Sequence, residues 1–118
     1  MKELSPQLQN QIAQFQQLQQ QLQVLAVQRQ QMELQLREVE GSLEELTKLG
    51  AETPLYRAIG NLLARVEDRE AVRKELTERQ ETLSIRVKTL QKQEKSFGER
   101  YEELSQKIQA ALGPGRGG

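Results

Sequence analysis

Apolar residues recur along this chain at alternating spacings of three and four, in two long stretches separated by a short segment of a different pattern. With Leu8 at position a of a heptad, the a series runs Leu8, Phe15, Leu22, Arg29, Leu36, Leu43. The d series runs Leu4, Gln11, Leu18, Leu25, Met32, Val39, Leu46. Eleven of these thirteen positions are apolar, sustained over six heptads, which predicts a coiled-coil helix over residues 5–49. Ser5 is placed to cap it, with Pro6 at the first helical position, where a missing N–H costs nothing. At about 1.5 Å per residue such a helix is on the order of 65–70 Å long.

The second stretch, residues 68–112, is of nearly equal length. Its d series is Leu76, Leu83, Leu90, Phe97, Leu104, Ala111, and its a series is Arg73, Gln80, Val87, Glu94, Tyr101, Ile108. The d row is complete and the a row is half polar. Asp68 is suited to the N-cap, and Gly113-Pro114 to the stop. Two matched helices joined by a reversal can zip along their length as an antiparallel pair, with the reversal at one end and both termini at the other. Matching the ends sets Leu43 near Arg73 and Leu76, and Phe15 near Tyr101 and Leu104. In that register Arg29 and Glu94 are offset by roughly 9 Å along the axis. They are expected to reach separately for water rather than to bond. With Gln11 and Gln80 they weaken the seam and penalise wrong registers.

Thr53-Pro54 closes the first helical region. Two five-residue runs follow, Leu55 to Ile59 and Leu62 to Val66, separated by Gly60-Asn61, and they predict a β-hairpin within residues 53–66. Ile59 then faces Leu62, Arg57 faces Ala64 and Leu55 faces Val66 on one side; Ala58 faces Leu63 and Tyr56 faces Arg65 on the other. A helical start is the competing reading of the same residues, since Leu, Ala and Arg favour helix. An isolated hairpin is marginal in water, and its open edges invite pairing with another chain. Oligomerisation through this segment follows.

Composition narrows the function more than the fold. The chain has 118 residues, one domain by length, with only 36% hydrophobic and 3% aromatic residues, so a thin seam is expected rather than a three-dimensional core. Lys plus Arg and Asp plus Glu are equal at 17 each, with no basic segment fit for a phosphate backbone. No nucleic-acid partner is expected. There is no Cys and no His, which removes thiol nucleophiles, imidazole bases and the usual zinc ligands. No enzymatic activity, cofactor or metal is expected. No apolar run approaches a membrane span and no signal peptide is apparent, so the cytoplasm is the expected compartment, with no membrane partner. Fourteen of the thirty-one residues from Ser5 to Gln35 are Gln, readable either as a solvated uncharged face or as a surface open to many partners. Val27, Leu34 and Ile85 fall at outward f positions, where scattered apolar residues are ordinary.

The central LYRAIGNLLARV, the following EAVRKELTERQETLSIRVKTLQKQE, the Gln-rich QQLQQQLQ and the terminal ELSQKIQAAL together resemble the β-type subunit of archaeal prefoldin. The resemblance covers essentially the whole chain as a single domain over 1–118, with residues 113–118 a flexible tail. It implies a mainly α fold: a long antiparallel two-helix coiled coil whose one central β-hairpin assembles with other subunits into a β-barrel platform. It further implies an ATP-independent chaperone, a hexamer of two α-type and four β-type subunits, whose tips hold unfolded proteins and deliver them to a group II chaperonin. The family's assembly element maps to Leu55, Tyr56, Ile59, Gly60, Leu62, Leu63 and Val66. Its client contacts map to the distal ends, where fraying would expose Leu4, Leu8, Ile12, Phe15, Tyr101, Leu104, Ile108 and Leu112. Ile12 lies at an e position beside the seam, where flanking-core packing is the plainer reading. The rival function is a structural or adaptor coiled coil without affinity for unfolded clients.

Overall fold

Ser5 accepts the Leu8 backbone N–H on its hydroxyl at 3.0 Å, satisfying one of the free donors that open any helix. From this cap α1 runs over Pro6–Lys48; β1 (Tyr56–Ile59), β2 (Leu62–Arg65) and α2 (Arg69–Leu112) follow. The computed structural model describes residues 4–113, so the expected tail lies outside the described residues apart from Gly113. Asp68 caps α2 through the Ala71 N–H at 3.1 Å. Gly113, at φ 82, ends it with its N–H on the Gln109 carbonyl at 3.1 Å. That left-handed residue just past the last turn is the usual glycine stop.

Residues 4–30 with 88–113 form one compact unit, and Gln31–Val87 form a second that contains the hairpin. In the first unit Phe15 stacks on Tyr101, ring centroids 4.4 Å apart, and Arg29 pairs with Glu94. In the second, Gln80 donates to Glu40 at 3.3 Å and Arg73 to Thr47 at 3.3 Å. Within each unit, therefore, later residues of α1 meet earlier residues of α2, which is antiparallel packing. The heptad accounts for what is covered. Every a and d position of α1 between Leu8 and Leu46, and of α2 between Arg73 and Ile108, is buried or half-buried. Among the described residues five apolar side chains are buried (Leu8, Val39, Leu46, Leu83 and Val87), and no large side chain is completely enclosed. Within each unit two helical segments have only one seam to offer, so the core of each is a line rather than a volume.

The Arg29–Glu94 ion pair corrects the expectation that these charges reach separately for water. The expected offset was measured between backbones, and two long side chains inclined toward each other span it. At 25% and 22% exposure, the two groups would each lose solvation without a partner, so pairing wins over snorkelling. The same logic extends along the seam. Arg73, Gln80 and Glu94, the polar members of the α2 a row, each meet a polar side chain of α1. Those positions are not gaps in the seam but fixed cross-helix contacts, which favour one register.

Gly41 occupies an exposed site inside α1 where an added Cβ would meet nothing within 4 Å. Glycine in a helix interior loses more backbone freedom on folding than alanine does. Gly41→Ala is therefore expected to stabilise the chain by about 0.5–1 kcal/mol, read as a raised midpoint in denaturant unfolding. A lowered midpoint would show that this glycine serves a local bend.

Candidate functional site

The hairpin forms because Gly60 can adopt a positive φ, here 58, that a residue with a side chain rarely takes. Asn61 does not share it, and a positive φ confined to the first central residue matches the two-residue type II′ turn, whose twist suits paired strands. Pairing runs Tyr56 with Arg65, Arg57 with Ala64, Ala58 with Leu63 and Ile59 with Leu62. A further bond, Val66 N–H to the Leu55 carbonyl at 2.8 Å, brings Leu55 opposite Val66. The sheet has only these two strands. Two arginines tie it to the helices: Arg57 pairs with Glu75, and Arg69 donates to the Gly50 and Thr53 carbonyls that precede β1.

Exposure runs along the hairpin and is greatest on the strand that follows the turn. Leu62 is 71% exposed, Leu63 74%, Ile59 56% and Tyr56 55%. Leu55 and Val66, at the base, are half-buried within the chain. Four large apolar side chains thus stand in water on a hairpin that has unpaired edges on both sides.

In the other unit the side chains near the two helix ends are packed. Leu8 is buried at 8% exposure; Ile12, Phe15, Tyr101, Leu104, Ile108 and Leu112 are half-buried, and Leu4 is open at 36%. Two grooves flank this seam. One, of about 400 Å³, is lined by Ile12, Phe15, Gln16, Gln19, Ser105, Ile108 and Gln109. The other, of about 390 Å³, is lined by Gln17, Gln20, Gln21, Val24, Leu25 and Phe97.

The sequence matches the prefoldin subunit family over residues 9–114. It is 55% identical over 117 residues to the prefoldin subunit beta of Archaeoglobus fulgidus, covering 99% of this chain and 100% of that one. The chain belongs to the prefoldin family. The prefoldin subunit beta of Methanosarcina mazei is 46% identical, with 95% of each chain covered. The crystal structure of the prefoldin beta subunit from Thermococcus strain KS-1 superposes with a TM-score of 0.85 at 35% identity, over 97% of this chain and 99% of that one. Prefoldin membership implies a non-enzymatic chaperone subunit that forms hetero-oligomers with other prefoldin subunits. Two helices with one hairpin between them are the fold of the β type. Among the described residues of this prefoldin chain, no helix is long and apolar enough to cross a membrane.

The expected assembly residues fall into two groups. Tyr56, Ile59, Leu62 and Leu63 are available to another chain, while Leu55 and Val66 are partly used within this one. The expected client residues lie together in one unit: Leu8, Phe15, Tyr101, Leu104 and Ile108 belong to the seam, Ile12 and Leu112 flank it, and Leu4 is exposed ahead of α1, which starts at Pro6 while α2 runs to Leu112. Ile12 alone among them combines an e position with a groove lining. Sequence reasoning missed Val24, 56% exposed at a c position, and the Arg57–Glu75 tie. An apolar residue at an outward c position was the available signal for Val24; nothing local announced an ion pair spanning eighteen residues.

Proposed function

We propose that this chain is a β-type subunit of an ATP-independent chaperone, a cytoplasmic hexamer of two α-type and four β-type subunits. Its hairpins join those of its neighbours in a β-barrel platform through Tyr56, Ile59, Gly60, Leu62 and Leu63, with Leu55 and Val66 at the base. The unit containing both helix ends holds unfolded polypeptides through weak apolar contacts from Leu4, Leu8, Ile12, Phe15, Tyr101, Leu104, Ile108 and Leu112, and passes them to a group II chaperonin. Several subunits acting on one client supply avidity that a single contact lacks. The observation that carries this reading is the hairpin with four exposed apolar side chains and two open edges, in a chain that matches a prefoldin β subunit end to end.

The test uses the chain co-assembled with an α-type subunit and a chemically denatured client enzyme, with aggregation followed by light scattering and no ATP present. The complex is expected to suppress aggregation at least several-fold. Deleting residues 4–12 and 108–112 should remove that suppression while native mass spectrometry still finds the hexamer. Full suppression by the truncated complex would refute the client placement. Its absence in the intact complex would favour a structural or adaptor coiled coil.

A further inference from the structure

The two grooves of the unit formed by residues 4–30 and 88–113 share a construction that their sequence positions do not advertise. Each has one aromatic residue in its lining, Phe15 in one and Phe97 in the other, together with aliphatic side chains. Each also carries three glutamines, Gln16, Gln19 and Gln109 in the first and Gln17, Gln20 and Gln21 in the second, all exposed. Neither lining contains a charged residue. The grooves of the second unit are different: one includes Glu40 and Glu81, the other Arg57, Arg65, Asp68 and Glu75. On the α1 side the neutrality is extended, because no charged residue occurs from Pro6 to Gln28, in a chain that is 29% charged. Beside the Phe97 groove, the Arg100 guanidinium lies 5.3 Å from that ring's centroid.

Helical spacing puts the two grooves on opposite flanks of the seam. Ile12 and Gln19 stand at e positions on one side, and Gln17, Gln21 and Val24 at c and g positions on the other. None of the six glutamine amides has a side-chain partner among the described residues. A primary amide both donates and accepts, as a peptide group does. An apolar groove rimmed by free amides therefore complements an extended, non-native polypeptide: its aromatic and aliphatic side chains enter the groove, and its unpaired backbone N–H and C=O groups meet the rim. A lining without charge neither attracts nor repels by the client's net charge.

We infer that the glutamines rimming these grooves make client capture indifferent to client charge. This rests on the chaperone reading above, which puts clients at this unit, and adds that acidic and basic unfolded chains are held alike. The rim glutamines are specificity determinants, while Phe15 and Phe97 supply the apolar contact.

The experiment takes the complex assembled with its α-type partner, two denatured clients of opposite net charge, and 50 or 500 mM NaCl. The wild type is expected to suppress both clients, with salt changing either by less than about twofold. In Gln16→Glu/Gln19→Glu/Gln17→Glu/Gln20→Glu, suppression of the acidic client should fall at least fivefold at 50 mM salt. The basic client should be retained, and the difference should shrink at 500 mM as screening takes hold. The corresponding lysine variant should show the opposite preference, with circular dichroism and native mass spectrometry confirming fold and assembly for both. Variants that hold both clients as the wild type does, or that lose both equally while folded and assembled, overturn the inference and leave the chaperone reading standing. Failure of the wild type to suppress either client overturns both.

Discussion

Replacing Leu62 and Leu63 together with aspartate is expected to leave a folded chain that no longer joins an α-type partner. At 71% and 74% exposure these side chains contribute little to the isolated chain, so its helical circular dichroism should be unchanged. In an assembly they are the most available apolar surface of the hairpin. Covering a leucine is worth about 1.5–3 kcal/mol, and forcing a carboxylate into the same contact costs more than leaving the gap. The double change should therefore weaken association by more than ~100-fold. Size-exclusion chromatography and native mass spectrometry at micromolar concentration read the result directly. A hexamer surviving both substitutions would move the assembly surface elsewhere.

Leu83→Ala should produce the largest loss in the stability of the chain itself. Leu83 is the most buried of the core side chains, at 4% exposure, on a d position of α2. Truncating it removes transfer free energy and leaves a void that two helices can close only by bending, at a cost of about 2–4 kcal/mol. The thermal midpoint, followed at 222 nm at fixed subunit concentration, should fall by roughly 10 °C. Leu34→Ala is the internal control, because Leu34 is 52% exposed and its truncation should stay within about 0.5 kcal/mol. Equal losses at the two positions would mean that the heptad does not describe the seam.

How much of this was legible before the structure depends on how local each signal is. Heptad spacing is a property of one helix, so the covered faces of α1 and α2 could be assigned from Leu8, Leu46, Leu83 and Val87 without knowing what they touched. The hairpin was legible for a similar reason: only a turn with positive φ at its first central residue needs Gly60 there, and the register follows from the turn. Arg29 and Glu94 were misjudged because their pairing depends on side-chain length and inclination between helices, which spacing along one helix does not contain. The client residues were visible as apolar, and matching the helix ends already set Phe15 near Tyr101; how far the ends are covered was not visible. Fraying is a tendency of isolated helix ends, whereas the stack of Phe15 on Tyr101 is a tertiary contact that opposes it. The grooves were hidden altogether, since each combines residues of both helices, seam positions with the exposed residues beside them.

Arg69 has a consequence for how subunits meet. Its guanidinium grips the Gly50 and Thr53 carbonyls from the first turn of α2, so the loop entering β1 is held before any neighbour arrives. Ordering a free residue costs about 1–2 kcal/mol of backbone entropy, and a loose ten-residue hairpin would have to absorb that cost during docking. A strand pair already fixed to its helices spends the entropy at folding instead. Each incoming partner then meets a finished template, and the rate of assembly is set by collision and orientation rather than by waiting for a loop to order.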